Sequence, residues 1–247
     1  MRPWKQFGLL LLTIACLLAV GSASAATITF RSGDGAIGTA DPNVRVLPKL
    51  SGSTRGFLSL GLDDFAAARA GDSAVVVARN TTYNWIASLP TDSAARWINI
   101  SGNQNYGSEP TGLYAIKIVN PYGPATDATL DLYYAVDNSL GYRNGTTVYT
   151  SAVYLNNEPL EPTIGNIAAI PDGDSATPNH YQQVHYLQFT NLPLKAGENW
   201  IYINATNTGL MGGVIFSGTF TFTPVPEPVS LSLLVAGAAG LRSRRRR

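Results

Sequence analysis

The chain contains very little cysteine, histidine and charge. Of its 247 residues one is cysteine and two are histidine, and charged residues make up 13%. The single cysteine, Cys16, lies in an apolar stretch near the start of the chain. No disulfide can therefore form within one chain, and residues 26–225 offer no thiol for nucleophilic catalysis.

The common sequence signatures of enzymes are also missing. The chain has no His-Glu-x-x-His, no Gly-x-Ser-x-Gly, no phosphate-binding loop and no glycine-rich dinucleotide turn. His180 and His185 are five residues apart, so we expect them to point to opposite faces if a strand begins by residue 180. No pair of carboxylates can be assigned to glycoside hydrolysis. We therefore expect a protein that is not an enzyme.

The start of the chain has the features of a secretory signal peptide. Arg2 and Lys5 are basic, and residues 7–20 form an apolar stretch. We expect signal peptidase to cut after residue 25, within a run of small residues. These residues are Ala23, Ala25 and, beyond the cut, Ala26. The alternative is a lipoprotein with Cys16 as the lipidated residue, but the three residues before it fit a lipobox poorly.

The last 22 residues combine a Pro-Glu-Pro triplet, an apolar run at residues 229–241 and a basic end. The triplet is Pro226, Glu227 and Pro228, and the basic residues are Arg242, Arg244, Arg245, Arg246 and Arg247. Thirteen apolar residues make about 20 Å of helix, which is short against a hydrocarbon core of about 30 Å. The arginines favour the cytoplasmic side of a membrane, which leaves the triplet on the opposite side.

This ordered tail resembles the PEP-CTERM sorting signal of bacterial proteins, and it matches that motif at Pro226, Glu227 and Pro228. The resemblance implies a protein exported across the inner membrane of a Gram-negative-type bacterium. It also implies a membrane-anchored intermediate, processing near the triplet by an exosortase-type enzyme, and delivery to the cell surface or extracellular matrix. The alternative is an ordinary C-terminal anchor with a chance triplet.

Between the two ends lies an acidic body at residues 26–225. It contains 10 basic and 15 acidic residues, although the whole chain has a net charge of +1. A nucleic-acid partner would favour a basic face, so we expect none. About 200 residues are enough for one domain with its own core.

The body shows period-two patterning, which indicates β-strands. Residues 130–136 alternate in this way, and a helix is expected at residues 62–70, with Gly71 just past its end. Further strands are expected at 73–79, 96–100, 113–120, 147–155, 181–190, 199–205 and 214–223. Residues 28–44 supply either edge strands of the same sandwich or a separate small module. The three tryptophans of the body, Trp85, Trp97 and Trp200, are expected in core or edge packing.

These elements predict an all-β fold: a two-sheet antiparallel jelly-roll sandwich with one short helix. A signal helix would precede it and a membrane-anchoring helix would follow. Segments 135–138, 153–157 and 194–207 resemble the galactose-binding-like sandwiches of exported bacterial proteins. The chain departs from that pattern at Asn157, where the family usually has glycine, but asparagine tolerates left-handed turn geometry.

Tyrosines beside glycines are the first candidates for ligand contact. Tyr106, Tyr122 and Tyr142 are expected at loop tips, where their rings could stack on sugars or on another chain. The alternative is that they cap the ends of the sandwich.

No cofactor is expected, apart from a possible structural calcium ion at one of two oxygen-rich segments. One contains Asp172 and Asp174, and the other contains Asp137 and Asn138. In both segments an ordinary polar turn or strand end is the alternative.

Three classes of function follow from these features. The first is a non-enzymatic envelope or matrix component that interacts with exopolysaccharide or neighbouring surface proteins. The second is a lectin-like carbohydrate-binding module, and the third is a glycan-active enzyme. The absence of a catalytic constellation favours the first.

Overall fold

The computed structural model describes residues 24–49, 56–102, 111–144, 147–165, 180–207 and 212–224. These residues form mostly antiparallel β-structure with one short helix, as the period-two pattern predicts. The strands are β1 (Ala26–Arg31), β2 (Ala40–Pro48), β3 (Asp72–Val76), β4 (Ile98–Asn99), β5 (Gly112–Asn120), β6 (Ala125–Asp137), β7 (Ser139–Leu140), β8 (Tyr142–Asn144), β9 (Thr147–Thr150), β10 (Val153–Leu155), β11 (Glu158–Pro159), β12 (His185–Leu194), β13 (Gly197–Thr206) and β14 (Gly213–Phe222). The helix is α1 (Leu62–Ala70). The expected signal and anchoring helices lie outside the described residues.

Twelve of the described strands are hydrogen-bonded into one sheet. Its main path runs β11-β10-β13-β5-β2-β3-β4-β14-β6-β12, with β1 paired to β14 and β7 paired to β13. The strands β8 and β9 form a separate two-stranded sheet. Because every pairing is antiparallel, short turns can join many neighbouring strands without crossover helices.

The sheet curls so that its two halves face one core. A single apolar cluster contains Val46 and Ile116 from one half and Leu132 and Phe216 from the other. Strand β1 also approaches β5, although these two strands are not hydrogen-bonded. Each large apolar side chain buried in this way stabilises the fold by about 1.5–3 kcal/mol. The main hydrophobic core therefore lies inside the curl.

Helix α1 covers the outer face of β5 and β13. Its Phe65 is buried, with ring centroids 5.1 Å from Tyr154 and 4.8 Å from Tyr202. At its end, a Cβ atom on Gly71 would collide with the carbonyl oxygen of Val46. The predicted helix and the predicted glycine stop are both confirmed, and close packing on β2 explains why glycine is needed there.

A second apolar cluster covers the part of the outer face of β6 and β14 that carries Ala135 and Ile215. Its largest members, Trp85 and Trp97, lie in the segment between β3 and β5, and their ring centroids are 4.2 Å apart. Both tryptophans are 1% exposed, which confirms that they are core residues. Trp200 packs at the edge of the cluster beneath α1, with the Arg69 guanidinium 5.9 Å above its ring.

The N-terminal segment is part of this sheet. Strand β1 pairs with β14, but β2 lies between β3 and β5 and is therefore an interior strand rather than an edge strand. The turn between β10 and β11 also agrees with expectation, because Asn156 and Asn157 have φ values of 52° and 79°. Asparagine thus occupies a left-handed conformation at both positions of this turn.

Candidate functional site

The structure separates the predicted ligand-contact tyrosines. Tyr122 is 45% exposed and its ring meets Phe222 edge-on at 6.0 Å. Tyr142 is instead half-buried within β8 and stacks on Tyr149 at 5.3 Å, so it is not at an open loop tip. Packing explains this difference, because a Cβ atom on Gly56 would collide with the Tyr142 ring. Tyr106 lies outside the described residues.

These two tyrosines lie at opposite ends of β13. Tyr122 follows Asn120, which is opposite Gly197 at the start of β13. Tyr142 follows β7, whose Leu140 is opposite Ala205 near the end of β13. Eight residues of strand separate the two levels by about 27 Å. Tyr122 and Tyr142 therefore do not form one binding site.

The carboxyl of Asp137 is buried against Trp85. One of its oxygens accepts a hydrogen bond from Nε1 of Trp85 at 3.2 Å. Burial raises the pKa of Asp137 from 3.8 to about 7, although the Trp85 hydrogen bond acts in the opposite direction. Among the described residues, no group of three or more His, Cys, Asp or Glu side chains could hold a metal ion. Calcium at Asp137 and Asn138 stays a prediction, and Asp172 and Asp174 lie outside the described residues.

The two histidines are adjacent, and the condition for opposite faces, a strand that begins by residue 180, is not met. Strand β12 begins at His185, so His180 belongs to the preceding turn. The turn folds back and stacks the two rings at 4.5 Å, and His185 also stacks on Tyr134 at 5.2 Å. Burial and the neighbouring His185 lower the pKa of His180 to about 4. This stack is a packing feature at the start of β12.

A cleft of about 290 Å³ opens where β1 approaches β2 and β5. It is close in size to the smaller ligand pockets of proteins, which begin at about 300 Å³. Phe30 and Ile116 contribute to its wall, and the other lining side chains are polar. The polar residues that line the cleft are Thr29, Arg31, Asp34, Asn43, Asp92 and Lys117.

Arg31 connects the carboxylates of the cleft. Its guanidinium lies 3.7 Å from Asp34 and 3.4 Å from Asp92. Asn43 donates to Asp34 at 2.8 Å, and Ser217 donates to Asp92 at 3.2 Å. The Arg31 and Asp34 side chains are 39% and 48% exposed, so these ion pairs add little stability. Their main effect is to hold polar groups in fixed positions.

The turn that carries Asp34 is also fixed by the buried side chain of Asp41. Asp41 is fully buried and accepts hydrogen bonds from the backbone N–H of Gly33 at 2.7 Å and of Asn43 at 2.9 Å. Gly33 has φ 78°, and a Cβ atom there would collide with Arg96. The turn therefore requires glycine, and its rigidity sets the position of Asp34 beside Arg31.

The outer face of β1, β14, β6 and β12 continues this polar surface. Strand alternation sends Phe30, Phe220 and Leu130 into the core and their neighbours outward. Cross-strand register arranges the outward residues in rows. We call these residues the polar face: Thr27, Thr221 and Thr129; Thr29, Thr219, Asp131 and Gln188; and Arg31, Ser217, Tyr133 and Tyr186.

The central part of the polar face is held by hydrogen bonds. Asp131 accepts from the Tyr186 hydroxyl at 2.5 Å and from the Gln188 amide at 2.9 Å. The Tyr186 and Tyr133 rings lie 4.8 Å apart. The hydrogen bond to Asp131 raises the pKa of Tyr186 to about 12, so this hydroxyl keeps its proton. Thr29 and Arg31 belong both to the polar face and to the cleft, which makes the two surfaces continuous.

The chemistry of this surface suits hydrogen bonding better than bond cleavage. Threonine hydroxyls, an amide, carboxylates and a guanidinium can bind the hydroxyl groups of a polyol, and tyrosine rings can stack on a sugar. Asp34 and Asp92 share one guanidinium, an arrangement typical of an ion-pair network. Neither histidine lines the cleft.

Comparisons with known proteins found no matching family model, no matching curated protein and no matching solved structure. In the described parts of the chain, no helix is both long enough and apolar enough to cross a membrane. The residues of the expected signal peptide up to Ala23, the Pro226–Glu227–Pro228 triplet and the C-terminal arginines lie outside those parts.

Sequence reasoning did not identify the residues of the cleft. Arg31 and Asp92 are 61 positions apart, and Asp131 and Gln188 are 57 apart. Only sheet pairing brings them together. The available signal was the outward-facing threonine pattern of β1 and β14, because alternating threonines on a strand predict a polar exposed face.

Proposed function

We propose that this protein is an exported, non-enzymatic component of the bacterial cell envelope or extracellular matrix that holds exopolysaccharide. In this proposal signal peptidase releases it at Ala25–Ala26, the PEP-CTERM tail holds it in the inner membrane, and an exosortase-type enzyme processes it near Pro226–Pro228. The order of triplet, apolar run and arginines in the tail supports this route of export and processing. We also propose that the curled sheet is a two-sheet jelly roll of the galactose-binding-like type.

One observation supports the interaction with polysaccharide above the others. The cleft and the polar face form a continuous surface of hydroxyl, amide, carboxylate and guanidinium groups on a rigid sheet. A polysaccharide chain presents hydroxyl groups at regular intervals, so it can use several of these positions at once. Contacts that are weak singly become strong together when the groups are held in place before binding.

Retention of the protein on polysaccharide tests this proposal. The purified protein is passed over immobilised exopolysaccharide from its own bacterium and over neutral glucans. We expect retention that falls at least several-fold in Arg31→Ala and Gln188→Ala, because each change removes a donor from the cleft or the polar face. Arg45→Ala is the matched control, since Arg45 is exposed on β2 and bonds only Ser73 among the contacts described. Absence of retention on every glycan contradicts the proposal.

A glycan-active enzyme is the competing function. Asp34 and Asp92 on either side of Arg31 are the carboxylates that would have to act. Release of reducing sugar that disappears in Asp92→Asn would support the enzyme and contradict a purely structural role. A lectin-like module differs from our proposal by a defined affinity for one short oligosaccharide.

A further inference from the structure

Both ends of the described body and two turns meet at one end of the sheet. Ala26 is opposite Phe222, so the first residue of β1 lies beside the last residue of β14. Asn120 is opposite Gly197, and Ala125 is opposite Leu194. We call this the terminal end: residues 24–26, 121–124, 195–197 and 222–224.

The terminal end is held together by one buried asparagine. The Asn120 amide donates to the carbonyl oxygen of Gly123 at 3.1 Å and to that of Lys195 at 3.0 Å. Asn120 is 1% exposed, and it also accepts from the backbone N–H of Tyr122 at 3.0 Å. Two turns from different parts of the chain therefore keep a fixed position relative to each other.

Chain length decides which end of the body can approach a membrane. The apolar run of the tail begins at residue 229, seven residues after Phe222, which is at most about 25 Å of extended chain. The body is longer than this tether, because the ten residues of β14 alone span about 31 Å. An anchor at residues 229–241 therefore holds the terminal end within about 25 Å of the bilayer, which is too close for the opposite end to dock with the sheet upright.

The terminal end also has the chemistry of a bilayer contact. Tyr122 is 45% exposed, Val119 beside it is 56% exposed, and Tyr122 is held against Phe222. Among residues 24–25, 121–124, 195–196 and 223–224 the only charged side chain is that of Lys195. Glu198, directly after Gly197, is the nearest exposed carboxylate along the chain, and it forms an ion pair with Lys117. Tyrosine is favoured at membrane interfaces, and lysine is attracted by anionic lipid.

We propose that the terminal end docks on an anionic bilayer while the tail is anchored, with Tyr122 and Lys195 among the lipid headgroups. This inference rests on the proposed membrane anchoring of the tail. Pro226 is four residues after Phe222, so the triplet lies within about 14 Å of the folded sheet and stays near the docked end. The docked orientation also directs the end that carries Asp137 away from the membrane.

Site-specific fluorescence quenching tests the orientation. The proposed anchored form, residues 26–247, contains no cysteine; it receives one new cysteine, through Tyr122→Cys, Lys195→Cys or Gly102→Cys, and carries one fluorophore. All three positions are exposed, and Gly102 lies near the opposite end, where a Cβ atom would meet only Val75 at 3.7 Å. Vesicles of phosphatidylethanolamine and phosphatidylglycerol in a 3:1 ratio carry spin-labelled headgroups, which quench only at short range. We expect at least three-fold stronger quenching at positions 122 and 195 than at position 102.

Two failures can be distinguished. Flotation of the vesicles first reports whether the chain is bound at all. If the protein does not float with vesicles, the proposed anchoring is wrong and the orientation falls with it. If it floats but all three positions are quenched equally, the anchoring stands and the docking of the terminal end is overturned.

Discussion

The buried carboxyl of Asp137 makes stability depend on pH in a direction opposite to that of most acidic residues. Its neighbours are Trp85, which donates one hydrogen bond, and the apolar cluster on the outer face of β6 and β14. The substitution Asp137→Asn keeps the shape and an acceptor for Trp85 but removes the ionisation. Comparing this variant with the unchanged protein therefore isolates one titration.

The size of the effect follows from the pKa. Burial raises the pKa of Asp137 from 3.8 to about 7, a difference of about three pKa units. At 1.36 kcal/mol for each unit, ionisation costs the folded state about 4 kcal/mol in all. The pKa of Asp137 is higher in the folded protein than in the unfolded chain. The stability that its neutral carboxyl contributes is therefore fully present below pH 3.8 and is lost as the pH rises through 7. The loss is nearly complete by pH 8.

Urea unfolding followed by tryptophan fluorescence measures this difference. The free energy of unfolding of Asp137→Asn minus that of the unchanged protein should increase by about 3 kcal/mol between pH 4 and pH 7. Other titrating groups are common to both proteins and largely cancel in the difference. Asp127→Asn is the matched control, since it makes the same substitution at an exposed position of the same strand. A difference that does not change with pH would refute the buried-carboxyl argument.

Three further predictions concern packing and acid sensitivity. Phe65→Ala should lower the free energy of unfolding in urea by about 3–5 kcal/mol. Leu62 lies on the same helix but is 73% exposed, so Leu62→Ala should change this free energy by less than about 0.5 kcal/mol. Equal losses in the two variants would contradict the helix orientation. Gly218→Ala should lower stability by about 1–3 kcal/mol, because its Cβ would collide with the Phe30 ring; an unchanged thermal melting temperature would contradict this packing. The pKa of His180 is depressed, so its stabilising contribution is present above pH 6.5 and lost as the pH falls through about 4. His180→Gln should therefore weaken the loss of stability in acid, and an identical acid titration by circular dichroism would contradict the His180–His185 stack.

Local patterns were enough to predict the main elements of the fold. Alternation at residues 130–136 marks β6, and the run before Gly71 marks α1, because each pattern reflects the burial of one face by neighbouring residues. The interior place of β2 could not be predicted in this way. Its partners, β3 and β5, are chosen by packing of the whole sheet, and no local signal in residues 40–48 specifies them.

The candidate site was less accessible to sequence reasoning than the fold. Tyr142 was expected at a loop tip because glycine precedes it, but the position of Gly56 against its ring depends on distant chain folding. The contact between Asp137 and Trp85 spans 52 positions, and the ion pair of Arg31 with Asp92 spans 61. Side chains that meet only through sheet register leave no short motif in the sequence.

Delivery through the tail is the central claim, and mass spectrometry of the protein recovered from the surface of its bacterium tests it most directly. We expect a chain that begins at Ala26 and ends near Pro226–Pro228, without the apolar run and the arginines. A surface protein that still carries an intact Arg247 would contradict it.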